Sequence, residues 1–273
     1  MSDSFGIVTK VKQKKISELL IQDKRLDGRG LEDYREIKVE TGLIGKAVGS
    51  AQVSLGKTKV LVGIKVESGA PFPDTPNEGV LTVNVELVPL ASPSFEPGAP
   101  NEDAIELARV VDRGLRESKA VDTKKLCVIP GKKVFVVFVD IYVLDHDGNL
   151  FDSSALASIV ALATSKIKGY TVDKASGEIE FKSDQISLPI QNYPIEVTMA
   201  KMDDKLVVDP SLDEEEVVDA QITIATGKND EICAIQKSKS GAFTVNEILQ
   251  AVTIATKKAN ELRGRFLEGT KNE

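Results

Sequence analysis

The segment KKVFVVFVDIYVLDHDGNLFDSSALASIVALATSKI occupies residues 132–167. Residues 132–145 are an almost continuous apolar run of strand character, and HDGN after them is typical of a turn. Residues 153–167 have the composition of a largely buried helix. A strand that leads directly into a buried helix favours an architecture in which sheets and helices pack in layers.

The chain before this segment supplies further strands and a helix. Runs rich in Val, Ile and Thr predict four strands, at residues 36–42, 49–56, 58–67 and 80–88. Long loops crowded with Pro and Gly flank the last of them. We predict a helix from about Glu102 to Lys119, because Asn101 is a plausible N-cap and acidic residues follow it. A short N-terminal helix is predicted from roughly Lys14 to Gln22.

The chain after about residue 190 repeats the theme of strands followed by a helix. The pattern predicts strands at residues 193–202, 204–210, 219–227 and 231–238, and a C-terminal helix from Val245 to about Leu267. We therefore expect an α+β fold in a single domain over residues 1–273, with two similar β-rich halves and packed helices. The halves are expected at about 30–170 and about 190–268, after an N-terminal extension over residues 1–25.

Composition excludes several classes of protein. Hydrophobic residues make up 41% of the chain and charged residues 28%, as in an ordinary soluble globular protein. The N-terminus lacks the apolar core of a signal peptide, and no apolar run approaches the roughly 20 residues of a membrane helix. Cys127 and Cys233 lie far apart in apolar-rich runs, where each suits a small buried hydrophobe, so we expect a cytoplasmic protein without membrane contact. The net charge of −7 argues against a generally basic surface but leaves room for a local basic patch.

Two short motifs carry no chemistry of their own. His146 is the single histidine, and without a neighbouring base or ligand cluster it is best interpreted as a turn residue. The run SLGKTKV at residues 54–60 resembles the end of a phosphate-binding P-loop, but Ala51 stands where that motif needs a glycine. A hairpin turn is predicted there.

Two charged clusters have both a functional and an ordinary interpretation. The acidic run contains Asp213, Glu214, Glu215, Glu216 and Asp219, which could hold Mg²⁺ or supply acid–base groups. A solvated surface is the more common role of such a run, and we favour it.

The second cluster is a stripe of arginines on the helix predicted at 102–119. Arg109, Arg113 and Arg116 fall within roughly 60° of one another at 100° per residue, almost opposite the apolar face. Three guanidinium groups in a stripe could clamp RNA phosphates. They could equally pair along a solvated helix, Arg116 with Asp112 and Arg113 with Glu117. Spacing alone favours the solvated helix.

Long stretches of the chain resemble the ribonuclease PH family. The opening RLDGRGLEDYREI (25–37) and GSAQVSLGKTKVLVGIKVE (49–67) are similar to the start of that family's fold, which is of the ribosomal protein S5 domain 2-like type. Residues 71–118 and VFVDIYVLDHDGNLFD (137–152) more specifically resemble the non-catalytic subunit of the archaeal exosome. The resemblance extends from about Arg25 to the C-terminal helix.

The resemblance implies a phosphorolytic site whose parts are largely missing. Active members use inorganic phosphate to cleave the last linkage of RNA. They carry an arginine pair where this chain has Glu102 and Asp103, whose charges would repel phosphate. Their glycine-rich phosphate turn corresponds to residues 147–150, which read DGNL here.

The acid–base positions of the family are also altered. Two aspartates of active members correspond to Glu215 and Gln221, and a neutral glutamine cannot act as a carboxylate base. We therefore expect no catalytic residue and no metal site, and the acidic run is again interpreted as surface.

The resemblance also implies partners. It predicts a hexameric ring in which this chain pairs with a catalytic ribonuclease PH-like subunit for 3′-to-5′ RNA degradation. RNA-binding cap subunits are expected on the ring, and inorganic phosphate is used only at the sister subunit's site, so no cofactor is expected here. Arg109 and Arg113, with Arg116 as a third, are expected to contact single-stranded RNA. The alternatives are an active phosphate-dependent exoribonuclease and a structural ring spacer that does not contact RNA.

Overall fold

The apolar run at residues 132–145 forms the central strand of a six-stranded sheet. The computed structural model describes residues 2–172 and 179–267, with side chains from residue 10 onward. The strands are β1 (Ile37–Thr41), β2 (Gly49–Leu55), β3 (Thr58–Gly69), β4 (Val80–Leu87), β5 (Cys127–Ile129) and β6 (Lys133–Asp145). Their order is β1-β2-β3-β6-β4, and β5 also pairs with β6. The predicted strands and the hairpin turn between β2 and β3 are confirmed.

A helix separates β4 from β6, which makes their parallel pairing possible. This helix, α2 (Glu102–Glu117), begins at the predicted N-cap, where the Asn101 side chain accepts a hydrogen bond from the Ala104 N–H. β6 pairs parallel with β4 and antiparallel with β3. A parallel pair needs a long crossover connection, and α2 with β5 supplies it.

The helix that follows β6 is buried on all sides. This helix, α3 (Leu150–Ala163), contacts β2 and β3 of the first sheet, a strand of the second sheet at Ile195–Met202, and α2. It starts three residues earlier than predicted because Asn149, with φ of 54°, caps it. The prediction that the helix continues to residue 167 is wrong, since Lys166 begins the next strand, at Lys166–Val172.

The second half is an antiparallel sheet covered by a long helix. Its elements are β9 (Ile195–Met202), β10 (Lys205–Val208), α4 (Leu212–Glu215), β11 (Ala220–Thr226), β12 (Ile232–Ser238) and α5 (Val245–Phe266). The strand order is β10-β9-β11-β12, and α5 packs against β9 and β11. One hydrophobic core includes buried residues of both sheets. The α+β fold class is confirmed.

Three elements at the edges of the molecule differ from expectation. A hairpin of β7 (Lys166–Val172) and β8 (Ile179–Ser187) was not predicted. The N-terminal helix α1 spans Ser2–Leu20, so the predicted bounds of 14 and 22 are wrong at both ends. Its Ile16 and Leu20 pack against Met202 and Val207 of the second sheet. The predicted N-terminal extension begins at residue 1 and the predicted second half ends at residue 268. Both of these residues lie outside the described residues.

Cys127 and Cys233 are unpaired and half-buried, so the prediction that both are buried is wrong. Each lies at an edge, in β5 or β12, where one neighbouring strand is missing. In the part of the chain that the structure describes, no helix has the length and apolar character needed to cross a membrane.

A buried carboxylate connects the start of the chain to both halves. Asp209 is fully buried and accepts hydrogen bonds from Arg29 Nη1 at 2.8 Å, Arg35 Nη2 at 2.7 Å and Asn149 Nδ2 at 2.8 Å. Burial alone would raise the pKa of Asp209, but the hydrogen bonds and positive charge of Arg35 hold it below its usual range. The carboxylate thus remains charged inside the protein and orders the turn before α3.

A second buried ion pair corrects the interpretation of the acidic run. Arg25 Nη2 lies 2.6 Å from Glu214 Oε2, and both side chains are almost fully buried. Glu214 also accepts the backbone N–H of Ser211. The run at 213–216 is therefore not simply a solvated surface, since only Asp213 and Glu216 are exposed and Lys12 pairs with both.

We predict that Asp209→Asn destabilises the protein by about 3 kcal/mol, because it removes the fully buried carboxylate that Arg29 and Arg35 share. Asparagine tolerates the positive φ of this position, so the substitution tests the charge. Urea unfolding at pH 7 measures the loss, with Asp204→Asn, at an exposed position, as the control. The contribution of Asp209 to the free energy of unfolding is present at pH values above the ordinary pKa of an aspartate. It is lost as the pH falls through the lowered pKa that Asp209 has in the folded protein. An equal stability of the two variants at pH 7 would contradict the prediction.

Candidate functional site

The positions that the resemblance assigns to the family's catalytic parts line one cleft. The cleft has a volume of about 560 Å³ and lies between the N-terminus of α2, the turn before α3, α4 and the end of β12. Its lining includes Glu102 and Asp103 from α2, Leu150 from the turn, Glu215 from α4 and Gln221 from β11. Residues far apart in sequence are thus gathered as in a catalytic site.

The charge of this cleft is unsuited to phosphate. Its acidic side chains are Glu102, Asp103, Glu106, Glu215 and Glu216, and the only lysine or arginine among its described lining is Lys239. A carboxylate about 4 Å from an anion raises its energy by about 1 kcal/mol in water and by more in a partly closed site. Across the described residues, no group of three His, Cys, Asp or Glu side chains is arranged to hold a metal ion.

Internal hydrogen bonds occupy the turn that corresponds to the phosphate cradle. The Asn149 backbone N–H donates to Glu215 Oε1 at 2.9 Å, so a carboxylate of the chain already takes the donor at the start of α3. The carbonyl oxygens of Asp147 and Gly148 accept from Arg35, and that of Gly148 also accepts from Thr58. Burial raises the pKa of Glu215 to about 7, against the opposing effect of the Asn149 N–H. The prediction that Glu215 belongs to a surface run is therefore wrong.

Gly148 is required by the packing of this turn. Its φ is +88°, and a Cβ atom at this position would lie 2.5 Å from the backbone nitrogen of Leu212. The close approach brings α4 against the turn, which sets the position of Glu215. His146 in the same turn stacks on Phe95 with ring centroids 5.4 Å apart, and burial lowers its pKa. The interpretation of His146 as a turn residue is confirmed.

The arginine stripe lies outside the cleft, on the exposed face of α2. A groove of about 400 Å³ runs between α2 and β12, and Arg109 and Arg113 line it. Arg113 Nη1 donates to Gln236 Oε1 at 3.2 Å, and the structure gives Arg109 no partner among the described residues. Arg116 instead pairs with Asp112 at 2.7 Å, as on an ordinary solvated helix.

A buried carboxyl group lies below Arg113. Glu196 of β9 and Arg113 line the same small internal gap, and Glu196 is 4% exposed. Gly114 makes room for it, since a Cβ atom there would meet Glu196 Oε1. Burial, with a further contribution from Asp152, raises the pKa of Glu196 to about 8. Glu196 is therefore mostly neutral at pH 7. It does not neutralise the positive charge of Arg113, which lines the same gap.

Sequence reasoning missed the contribution of β12 to both sites. Gln236 contacts Arg113 in the groove, while Ser238 and Lys239 line the cleft. Glu106 lines the cleft and the groove and accepts hydrogen bonds from Gln236 and Ser238. Gln236 and Ser238 belong to a predicted strand without a motif, so only the packing of α2 against β12 brings them to the sites.

Comparison with known proteins accounts for this arrangement. The profile of the 3′ exoribonuclease family, domain 1 (RNase PH), matches residues 33–168, and that of domain 2 matches residues 192–258. The chain belongs to the ribonuclease PH family. The family expected from the sequence is thus confirmed.

Individual members of the ribonuclease PH family are similar over nearly the whole chain. Exosome complex component Rrp42 of Pyrococcus abyssi is 54% identical over 268 residues, which cover 98% of this chain and 97% of that protein. The same component of Methanosarcina mazei is 47% identical over 269 residues, with 98% of each chain covered. A chain of the Archaeoglobus fulgidus exosome with RNA bound to the active site has a TM-score of 0.87 and 44% identity, over 95% of this chain and 99% of that one.

We predict that Glu196→Gln stabilises this ribonuclease PH family member at alkaline pH. Because the folded-state pKa of Glu196 is raised, the wild type loses stability as the pH rises from about 4.5 to about 8, whereas glutamine has no proton to lose. The variant should be more stable by on the order of 4 kcal/mol at pH 8, with little difference at pH 4.5. Thermal unfolding across this range measures the effect, with exposed Glu117→Gln as the control. Parallel curves for wild type and variant would contradict it.

Proposed function

We propose that the protein is the non-catalytic subunit of an archaeal exosome ring. In this proposal it pairs with a catalytic ribonuclease PH-like sister in a hexamer that degrades RNA from the 3′ end by phosphorolysis. The observation that supports it best is the cleft, where carboxylates and a glutamine line the family's phosphate site. Relatives named as exosome components, similar over nearly the full length, support the same assignment.

The chemistry of the cleft argues against turnover by this chain. Phosphorolysis needs an anionic nucleophile held close to an RNA phosphate, and both carry negative charge. Glu102 and Asp103 oppose that approach, and Glu215 already occupies the backbone donor at Asn149. Gln221 cannot take up a proton as an aspartate would. Inorganic phosphate is accordingly used at the sister subunit's site, and this chain needs no cofactor.

The arginine face of α2 is the proposed RNA contact. Arg109 and Arg113 line an open groove, where Arg113 is held by a neutral amide and Arg109 has no partner within the described part of the chain. Arg116 is the third candidate, although its ion pair with Asp112 competes for phosphate. Such contacts bind the RNA backbone and do not read bases, so affinity is expected to depend on salt and little on sequence.

The remaining partners follow from the ring. RNA-binding cap subunits are proposed to dock on it and deliver single-stranded RNA. We propose a cytoplasmic location, which the unpaired thiols of Cys127 and Cys233 suit.

The absence of turnover is tested by phosphorolysis of a 3′-tailed RNA. We expect the purified protein to release no nucleoside diphosphate, with or without inorganic phosphate, because its cleft repels both reactants. Mixed with its catalytic sister, it should raise the sister's phosphate-dependent rate on the order of tenfold or more. RNA shortening by the protein alone would support the rival assignment as an active phosphorolytic exoribonuclease.

The RNA role is tested by Arg109→Glu/Arg113→Glu in the assembled ring. Loss of two phosphate contacts should weaken binding of single-stranded RNA by on the order of tenfold or more. It should also reduce the slope of the logarithm of the binding constant against the logarithm of the salt concentration by about 1.4. Fluorescence anisotropy at several salt concentrations measures both quantities. Lys124→Glu/Lys125→Glu, an equal charge change at exposed positions after α2, is the matched control. Size-exclusion chromatography verifies that the ring remains assembled.

If an intact ring that contains the arginine variant binds RNA as tightly as the wild-type ring, the protein is a structural spacer that does not contact RNA. Equal loss for both double variants would indicate a general effect of charge and would equally contradict a specific role of α2.

A further inference from the structure

The groove between α2 and β12 contains a carboxylate beside the two arginines that are candidates for RNA contact. We propose that this carboxylate, Glu106, accepts a hydrogen bond from a ribose 2′-hydroxyl and so makes the groove prefer RNA to DNA. The inference rests on the proposed function, because it concerns the same RNA contact of α2. It adds a residue that recognises the sugar to residues that hold phosphates.

The first observation is the position of Glu106. Glu106, Arg109 and Arg113 line the same groove. Along the axis of α2, Glu106 lies about 4.5 Å before Arg109, and Arg113 lies about 6 Å after it. A strand that follows the two arginines along α2 therefore also passes Glu106.

The second observation is a chain of hydrogen bonds that fixes the carboxylate relative to an arginine. The side-chain oxygen of Gln236 accepts from Arg113 Nη1 at 3.2 Å, and its Nε2 donates to Glu106 Oε1 at 3.4 Å. Ser238 Oγ donates to the same oxygen of Glu106 at 2.8 Å. Neutral donors thus hold Glu106, and within the described part of the chain it forms no ion pair with Arg109 or Arg113.

The third observation is an acceptor that remains free. Glu106 is half-buried, and its second oxygen, Oε2, has no hydrogen-bond partner among the described residues. The buried side-chain atoms that lack a partner in the described structure belong to other residues, so Oε2 is open to solvent. A donor on a ligand in the groove can therefore reach it.

The chemistry of the backbone identifies that donor. An ionised carboxylate accepts hydrogen bonds and cannot donate them. Phosphates also only accept, and the charge of Glu106 repels them. The 2′-hydroxyl is a donor that RNA carries at every sugar and that DNA lacks. A charge-assisted hydrogen bond to this hydroxyl offsets the repulsion for RNA, whereas DNA meets the repulsion alone.

The groove contains one other carboxylate, at Glu102. It is exposed, and no side chain among the described residues holds it in place. A fixed acceptor discriminates better than a mobile one, because it loses less conformational entropy on binding. This difference favours Glu106.

The experiment measures binding of labelled oligouridine and oligodeoxyuridine to the assembled ring by fluorescence anisotropy. Phosphate-free buffer prevents phosphorolysis. The two strands differ only in the 2′-hydroxyl, and the preference of the sister subunit cancels when variants are compared. We expect Glu106→Ala to reduce the ratio of RNA affinity to DNA affinity on the order of tenfold, partly through tighter DNA binding. Glu117→Ala, which removes an exposed carboxylate of α2 outside the groove, should leave the ratio unchanged.

Two further measurements test the hydrogen bond itself. Glu106→Gln keeps the shape of the side chain and an acceptor oxygen but removes the charge, so the ratio should fall only severalfold. This variant decides the outcome if the ring with Glu106→Ala does not assemble. 2′-Fluoro RNA keeps a ribose-like sugar conformation but has no proton to donate. The difference in affinity between RNA and 2′-fluoro RNA should therefore also shrink on the order of tenfold in Glu106→Ala.

An unchanged ratio of RNA affinity to DNA affinity in the Glu106 variants overturns the proposal. An unchanged difference between RNA and 2′-fluoro RNA in Glu106→Ala overturns it as well. Arg109→Glu/Arg113→Glu separates these outcomes from a failure of the proposed function. If the arginine variant binds both strands as tightly as the wild type, the RNA contact itself is wrong. If it weakens binding while the Glu106 variants keep the ratio, only the sugar contact is wrong.

Discussion

The buried carboxylate of Asp209 is the constraint on which the site geometry depends. An ion cannot be removed from water without partners, and here two arginines from the start of the chain and Asn149 before α3 supply them. The same network fixes the turn between β6 and α3, against which α4 packs. The N-terminal DGR segment is therefore structural, because it holds together the two halves whose edges form the cleft.

This framework separates shape from chemistry. The fold gathers into one cleft the positions that the resemblance assigns to catalysis, and their side chains here are mostly acidic. Helix α2 serves two surfaces, with an acidic N-terminus at the cleft and an arginine face at the groove beside β12. One helix thus presents opposite charges to two neighbouring surfaces.

Periodicity predicted most of the fold because the strands of both sheets alternate or are wholly apolar, and the ends of α2 and α5 have strong caps. It failed where packing overrides local pattern. The acidic run was interpreted as surface, yet Arg25, distant in sequence, buries Glu214. The β7–β8 hairpin is largely exposed and lacks the apolar pattern that identifies a strand. The β12 residues of the groove carried no signal, since they matter only through contact with α2.

The sequence by itself determined the family and the layered α+β class, because these depend on residue identity and local period. It also placed three arginines on one helical face. Only the tertiary structure distinguished among them, since Arg116 pairs with Asp112 whereas Arg109 has no partner in the residues that the structure describes. Burial likewise decided that Glu196 is mostly neutral at pH 7. The physical reason is that charge and hydrogen bonding depend on distance and exposure to water, which residue order does not specify.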